Sequence, residues 1–326
     1  MEVAELDEVV GRRRLGVGGP EVSEVGVGTN NFGRRLDQAG ARRVVDAALD
    51  LGVNLFDTAD IYGNGESERF LGQALQGRRD RAVLATKFGM RKPGLEPSDR
   101  RGSREYVRRA LEGSLRRLQV ETIDLYQMHE PDPSTPITET LLTLQDAVKE
   151  GTIRWVGVSN FSTGQLREAA AAARAIGLQV LVSAQEEYSL LNRSVEKEVL
   201  PALEELGIGL LPYYPLASGL LTGKYRRGEP PPPGSRLASS RQGSPLEDPA
   251  TLDTLEHLQR FAADRQVSVL AVAVGALLGR HQVASMIAGA MSPDQVAANC
   301  AAARWRPSAA DWVELDRLAL GGASAA

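Results

Sequence analysis

Residues 53–68 read VNLFDTADIYGNGESE, and this stretch sets a pattern that the rest of the chain repeats. An apolar run stops at Asp57, Tyr62 follows five residues later, and an amphipathic segment opens at Glu66 or Ser67. The pattern predicts a buried strand, a polar loop at its carboxyl end and then a helix. Such junctions carry the chemistry of many α/β folds, so Asp57 and Tyr62 are candidate site residues. A capping carboxylate and a packed tyrosine would give the same pattern.

Two later strand ends also carry a polar side chain. Lys87 follows the apolar run 82–86, in a chain with only five lysines among 38 basic residues. An ammonium group at a buried strand end needs a partner or a chemical role, because its burial alone is costly. His129 follows the run 123–127, and neither of the other two histidines stands at a strand end. Lys87 and His129 therefore join the candidates.

Strand and helix patterns alternate along the whole chain. Apolar runs predict eight strands, at 25–28, 53–56, 82–86, 123–127, 153–158, 180–184, 208–211 and 285–288. Amphipathic segments predict helices from about 37, at 66–76, from 103, at 136–150, 163–176, 195–206, 251–264 and 268–280, and from near 293 and 308. Connections of this length imply parallel strands joined by right-handed crossovers, in either a closed barrel or an open doubly wound sheet.

The even spacing of the eight units favours the closed form, an α/β fold of the (β/α)8 TIM-barrel type. Residues 13–22 alternate around Gly18-Gly19-Pro20 and predict a β-hairpin ahead of the barrel. Two extra helices are predicted at the C-terminal end. Since no break in composition marks a linker, residues 1–326 are predicted to form a single domain.

Composition restricts the function classes. The chain is 42% apolar and 25% charged, with a formal net charge of −4 and no basic stripe, which argues against a nucleic-acid partner. Its single cysteine, Cys300, cannot form an intrachain disulfide and suits a reducing compartment. The acidic N-terminus lacks the features of a signal peptide, and the longest mainly apolar stretch, 267–279, is too short to span a bilayer. We therefore expect a soluble, cytoplasmic protein without a membrane partner.

Nucleotide-binding motifs of the common glycine-rich kinds are missing. The glycines between Gly26 and Gly33 do not have the spacing of a dinucleotide fingerprint, and no phosphate-binding loop with a terminal lysine occurs. A dinucleotide, if bound, must therefore lie at the carboxyl rim of the barrel and be held by other means.

Asp57, Tyr62, Lys87 and His129 together resemble the catalytic tetrad of the aldo-keto reductases. The segments FDTADIYG, ATKFG, DLYQMH and GVSNFS resemble family signatures in family order, over about residues 15–303. The resemblance implies reduction of a small-molecule carbonyl, or oxidation of an alcohol, with NADP(H) as cofactor and NAD(H) as the alternative. It implies that Tyr62 is the general acid, that Lys87, held charged by Asp57, lowers the phenol pKa, and that His129 orients the carbonyl.

The same resemblance implies a set of cofactor contacts. Ser159, Asn160 and Gln185 match positions that hold the nicotinamide carboxamide, and Tyr213 matches the aromatic residue that stacks on its ring. The full set is Gly28, Thr29, Asn30, Asp57, Ser159, Asn160, Gln185, Tyr213, Pro215, Leu216, Gly219, Lys224, Arg236, Gly289, Met291, Ser292, Gln295 and Asn299.

Met291 and Ser292 depart from the family pattern, which often has Lys and Arg there to neutralise the 2′-phosphate of NADP. The departure predicts NADPH with weakened discrimination against NADH. Glu130 is a second departure, because it follows His129 where many relatives carry a bulky residue, and it predicts either a more polar pocket wall or a solvated loop residue.

Two other functions fit part of the pattern. Asp57, Asp60, His129, Glu130 and Asp132 could suggest a metal-dependent isomerase, but no metal-ligand spacing is present and Lys87 would repel a cation, so no metal is expected. The β subunits of voltage-gated potassium channels share the fold and the tetrad. They imply a nucleotide-sensing interaction protein with little turnover as the alternative.

Overall fold

The computed structural model describes residues 10–91, 100–239 and 244–321, in which the eight predicted strands form a parallel barrel. The strands are β1 (Arg12–Arg14), β2 (Glu21–Ser23), β3 (Val25–Gly28), β4 (Leu55–Asp57), β5 (Val83–Phe88), β6 (Ile123–Met128), β7 (Ile153–Ser159), β8 (Leu181–Glu187), β9 (Gly209–Tyr213) and β10 (Met286–Gly289). The helices are α1 (Gln38–Asp50), α2 (Glu66–Ala74), α3 (Arg104–Leu118), α4 (Ile137–Lys149), α5 (Thr163–Ala175), α6 (Val195–Leu206), α7 (Pro249–Asp264), α8 (Val269–Leu278), α9 (Pro293–Ala302) and α10 (Ala309–Gly321).

The sheet closes on itself. Strands β3 to β9 pair in chain order, and β10 pairs with β3 on the other side. Between β9 and the chain entering β10, Leu210 donates its N–H to the carbonyl of Gln282 at 2.7 Å and accepts one from Ala284 at 3.0 Å. The closed barrel is therefore confirmed over the open sheet.

The predicted hairpin is confirmed as the antiparallel pair β1–β2, and it blocks the amino end of the barrel. Leu15 and Val22 are completely buried and cluster with the interior residues Leu55, Leu125 and Leu211. Since apolar side chains fill this end, a ligand must enter from the carboxyl ends of the strands.

Several helices begin close to the predicted residue because a side chain caps the first turn. Asp37 accepts from the N–H of Gly40 at the start of α1, and Ser103 caps α3. Ser162 and Gln165 form a reciprocal capping box at the start of α5. A cap satisfies backbone donors that have no partner inside the helix, so it marks the boundary in the sequence.

Strand ends extend further than predicted. The apolar runs predict strand ends before Asp57 and Lys87, but β4 includes Asp57 and β5 runs through Lys87 to Phe88. The strands continue because these two polar side chains pair with each other inside the barrel. Strand β8 likewise continues to Glu187.

Two helices follow the last strand, as predicted, but only one lies outside the barrel pattern. Helix α9 packs against α1 and α8 and completes the ring of helices, so the helices outside the eight-fold alternation are α7 and α10. The predicted single domain over 1–326 stays a prediction. The sequence also predicts a basic loop at 91–101 and an irregular, proline-rich segment at 224–249, and both lie only partly within the described residues.

Among the described residues, no single helix has the length and apolar character needed to cross a membrane. Helices α7 and α8 meet those criteria only when taken together, and they bend by 91° at their junction.

Candidate active site

A cavity of about 1100 Å³ opens at the carboxyl ends of the barrel strands. The residues predicted from the sequence for catalysis or cofactor binding all line it, except Lys87 and Ser292. Lys87 is completely buried, and Ser292 caps α9 by accepting the N–H of Gln295. The cavity thus gathers groups that lie as far apart in the chain as Gly28 and Asn299.

A buried ion pair lies at the base of this cavity. The Lys87 Nζ donates to Asp57 Oδ2 at 2.5 Å and to the carbonyl of Thr58 at 2.9 Å. The side-chain amides of Gln127 and Gln185 both donate to the other carboxylate oxygen, Oδ1, at 3.1 and 3.0 Å. Burial lowers the pKa of Lys87, but the attraction of its neighbours, Asp57 first among them, outweighs burial and raises that pKa overall. The ammonium therefore stays charged at neutral pH.

Tyr62 begins the turn between β4 and α2, with its ring against the Lys87 ammonium. The Nζ lies 5.1 Å from the ring centroid. A left-handed backbone at Gly63 and Asn64, with φ of 58° and 56°, makes the turn tight. Burial raises the pKa of Tyr62, Lys87 lowers it, and burial prevails. Lys87 thus acts in the predicted direction, but burial of the phenol outweighs the nearby charge, so the pKa of Tyr62 is raised overall.

His129 faces the same space as Tyr62. The two ring centroids are 5.9 Å apart at an interplanar angle of 81°. The His129 backbone is held on both sides, because its N–H donates to Phe88 at 2.8 Å and its carbonyl accepts from Asn160 Nδ2 at 2.9 Å. A phenol and an imidazole thus border one part of the cavity, where both can reach a single oxygen atom of a ligand.

Amide and hydroxyl groups surround the neighbouring part of the cavity. Ser159 donates its hydroxyl to the carbonyl of Gln185 at 2.8 Å. Asn160 has the left-handed φ of 60°, and its Oδ1 accepts from the Tyr213 hydroxyl at 2.8 Å. These contacts fix the rotamers of the side chains that the sequence predicts to hold the nicotinamide carboxamide.

A buried carboxylate lies behind this amide cluster. Glu186 Oε1 accepts the N–H of Phe161 at 3.0 Å. Burial raises the pKa of Glu186 to about 7, against the lowering effect of the N–H groups of Phe161 and Asn160. Glu186 thus tethers the loop that presents Asn160 to the cavity.

Cations and a glycine turn form the far wall. A Cβ added to Gly219, where φ is 96°, would lie 3.5 Å from the Nζ of Lys224. Arg236 lines the same wall, and Arg35 donates to the carbonyl of Gly234 at 3.0 Å. The cluster suits a phosphate group, since exposed backbone and positive charge are both present.

The end of the cavity at α9 carries Met291 and Ser292, so neither of these positions supplies a basic side chain. Met291 donates its N–H to Gln295 Oε1 at 2.9 Å. Gln295 and Asn299 both line the cavity, as their four-residue spacing predicts. Ser292 is the one residue of the predicted cofactor set that lies outside the lining, because its hydroxyl caps the helix.

The residues present fit a nicotinamide dinucleotide. The cavity is larger than the roughly 300–1,000 Å³ of ordinary ligand pockets, so a long cofactor and a small substrate can share it. Fixed amides at one end, Lys224 along one wall and the start of α9 at the other end match a carboxamide, a pyrophosphate and an adenosine phosphate. Among the described residues, no group of three or more His, Cys, Asp or Glu side chains could hold a metal ion.

Comparison with known proteins agrees with this geometry. Residues 24–319 match the family model described as the Aldo/keto reductase family. This chain belongs to that family. The resemblance read from the tetrad motifs is thereby confirmed.

Three relatives illustrate the breadth of the aldo/keto reductase family around this chain. A "Probable voltage-gated potassium channel subunit beta" of Oryza sativa subsp. japonica is 35% identical over 88% of this chain and 89% of its own length. The "Uncharacterized oxidoreductase YrpG" of Bacillus subtilis (strain 168) is 44% identical over 64% of this chain and 68% of its own. A "Probable aldo-keto reductase 1" of Glycine max is 39% identical over 65% and 61%.

Sequence reasoning missed two buried residues of the site. Gln127 lies in β6, two positions before His129, which directly follows the strand, so alternation places both side chains on the same side, a signal that the motif DLYQMH already contained. Glu186 points to the opposite face from Gln185, and nothing in the sequence indicated that this face meets the loop at Asn160.

Proposed function

We propose that this protein is an NADPH-dependent oxidoreductase that reduces aldehydes or ketones to alcohols, with Tyr62 as the general acid. The observation that carries the proposal is the arrangement of Tyr62. Its ring borders the cavity together with His129, and the Lys87–Asp57 pair lies directly behind it. No other tyrosine of the described cavity lining adjoins a buried ammonium that is itself paired with a carboxylate.

The bound cofactor supplies a hydride to the carbonyl carbon of the substrate. Ser159, Asn160 and Gln185 would hold the carboxamide of this cofactor, in the same cavity as Tyr62 and His129. The hydrogen bonds that these side chains already make fix their positions before binding, which lowers the entropic cost of orientation.

Tyr62 gives its proton to the carbonyl oxygen as negative charge develops there. Because burial raises the pKa of Tyr62, the phenol is fully protonated at neutral pH, and the forming alkoxide is the stronger base. Lys87 stabilises the phenolate that remains, and Asp57 keeps Lys87 charged. His129 hydrogen-bonds the same carbonyl oxygen and aligns it with Tyr62.

Lys224 and the turn at Gly219 bind the pyrophosphate, while Gln295 and Asn299 contact the adenosine half. NADPH is preferred because the start of α9 favours an anion, although Met291 removes the strongest contact to the 2′-phosphate. A cytoplasmic location is part of the proposal, since the chain has a single cysteine and thus suits a reducing compartment.

The test measures consumption of NADPH by the purified protein with a panel of aliphatic and aromatic aldehydes and ketones. We expect turnover with at least one carbonyl class. Tyr62→Phe should lose that turnover, while NADPH should still quench the fluorescence of the variant in a titration. Cofactor binding by the wild type without consumption of any carbonyl or alcohol would overturn the proposal.

A second function is favoured by one observation only. The Oryza relative is named as a potassium channel β subunit, and it matches this chain over most of both lengths. A nucleotide-sensing interaction protein would use the same cavity but show negligible turnover. The aldehyde panel separates the two functions, because a sensor binds NADPH and reduces nothing.

A further inference from the structure

Two carboxamides converge on one oxygen of Asp57. Gln127 reaches Oδ1 from β6 at 3.1 Å, and Gln185 reaches the same atom from β8 at 3.0 Å. Gln185 also lines the cavity, but Gln127 is completely buried and has no surface on it. Gln127 therefore contacts the catalytic group without being able to touch a ligand.

A glycine leaves room for this contact. Gly157 pairs with Gln127 across β6–β7 and with Ser183 across β7–β8. A Cβ at residue 157 would lie 2.9 Å from Gln127 Cγ and would clash with the Ser183 hydroxyl. The Gln127 side chain can cross the interior of the barrel to Asp57 because β7 has no side chain there.

The carbonyl oxygen of the Gln127 amide does not stabilise the fold through a hydrogen bond. Its Oε1 is buried and has no hydrogen-bond partner among the described residues, and the same is true of the Ser183 hydroxyl beside it. A buried acceptor without a partner costs free energy, so an apolar residue of the same shape should suit the core better. The favourable contact of the Gln127 amide is therefore the hydrogen bond that it donates to Asp57.

We propose that Gln127 is a positioning residue of the tetrad, whose amide fixes the Asp57 carboxylate and weakens its negative field at Lys87 and Tyr62. The inference rests on the proposed function, since it assigns a role within the same proton transfer. It predicts that Gln127 controls the rate and its pH dependence, and that it leaves cofactor affinity alone.

The direction of the effect follows from the charges. The Asp57 carboxylate raises the pKa of Tyr62, although less than burial does, and it also raises that of Lys87. An N–H donor on Oδ1 offsets part of this negative charge. Without it, the phenol becomes a weaker acid, and the alkaline limb of the pH profile moves to higher pH.

The experiment compares Gln127→Met with Ser183→Ala by kcat, by the pH profile of kcat/KM, by NADPH titration and by urea unfolding. Methionine matches glutamine in length but lacks the donor. We expect kcat to fall about 10-fold and the alkaline limb to rise by about half a pH unit or more, since a hydrogen bond to a charged group is lost. We expect the Kd for NADPH to stay within about twofold. The free energy of unfolding should change little, because removal of the unpaired Oε1 offsets the loss of the hydrogen bond to Asp57. Ser183→Ala removes the neighbouring unpartnered group without touching Asp57, and should behave as wild type in the kinetic measurements and the NADPH titration.

Gln127→Glu gives a second, independent readout. A protonated glutamic acid can still donate to Asp57, whereas an ionised one repels it, so this variant should be most active at low pH and lose activity as pH rises. An unchanged kcat and alkaline limb in Gln127→Met would overturn the inference, and if that variant does not fold, a wild-type pH profile in Gln127→Glu would do so. Turnover by the wild type in those experiments would leave the proposed function standing, whereas a wild type inactive with every carbonyl would overturn both.

Discussion

The two ends of the cavity are built differently. At the tetrad end, Asp57 accepts from three side chains, Lys87 is completely buried, and the contacts come from different strands of the barrel. At the α9 end, Gln295 is exposed and accepts from the backbone of Met291 four residues earlier in the chain. Contacts between buried groups that are distant in the chain fix the side chains at the tetrad end. The side chains at the α9 end are held only by local contacts, so substitutions there should disturb the fold less. The chemistry should therefore tolerate little alteration, and the cofactor preference should be easy to move.

The largest effect is expected at the tetrad end, from Tyr62→Phe. The substitution removes the proposed proton donor and keeps the ring, so kcat should fall by about 10²- to 10⁴-fold. NADPH affinity, measured by fluorescence titration, should stay near that of the wild type. Residual turnover above about a tenth of wild type would show that another group protonates the substrate.

Lys87→Met should act through the rate and through stability together. It removes the cation that stabilises the phenolate, so kcat should fall about 100-fold or more. It also leaves the Asp57 carboxylate buried without its cation, which should lower the free energy of unfolding by about 3 kcal/mol. Stopped assays at saturating NADPH and urea unfolding measure the two effects.

Lys224→Met is the matched control, because Lys224 lies on the cavity wall that is proposed to bind the pyrophosphate. It removes the same kind of charge from a position that faces the cavity, so it should raise the KM for NADPH and leave kcat at saturation nearly unchanged. If the two lysine variants instead changed the same parameter, the division of the cavity into a chemical end and a binding end would be wrong.

The same division explains what the sequence could predict. The barrel, the hairpin and the helix starts were accessible because capping residues such as Ser103 and Ser162 act locally. The tetrad could be recognised because a polar residue at the end of an apolar run conflicts with burial, as at Asp57 and Lys87. The net pKa of Tyr62 could not be predicted, because it depends on how much of the ring the fold buries.

The contacts of residues that act through other residues could not be predicted from the sequence either. Gln127 reaches Asp57 because Gly157 leaves space between the strands. Glu186 binds the loop at Asn160 because β8 lies behind that loop. Neither relation is local in the chain. Ser292 shows the opposite case, since a polar residue before a proline is a helix cap as readily as a ligand contact.

Glu186→Gln tests whether the folded protein disfavours the ionised form of the buried Glu186 side chain. The pKa of Glu186 is raised from 4.5 to about 7, so the neutral form is favoured in the folded protein. The resulting stabilisation is fully present below pH about 4.5 and is lost as pH rises to about 7, for a total of about 3 kcal/mol. Glutamine cannot ionise, so the variant should gain up to that amount relative to wild type between pH 4.5 and 8, as measured by urea unfolding.

Glu187→Gln is the control for this prediction, because Glu187 is the next residue of the same strand and is exposed. As a substitution at an exposed position, it should leave the free energy of unfolding within about 0.5 kcal/mol of that of the wild type. A pH-independent difference between Glu186→Gln and wild type would mean that Glu186 is ionised in the folded protein throughout that range.

The smallest effect is expected at the α9 end, from Met291→Lys. Residue 291 lines the cavity at the end proposed to hold the 2′-phosphate, so an ammonium there should tighten NADPH binding by about 10-fold and leave NADH binding nearly unchanged. Ala297→Lys adds the same charge to an exposed position of α9 outside the lining and should alter neither affinity. Parallel fluorescence titrations with both cofactors measure the effect. An equal gain for NADPH and NADH would mean that residue 291 faces the shared phosphates, so that cofactor preference is set at another position of the cavity.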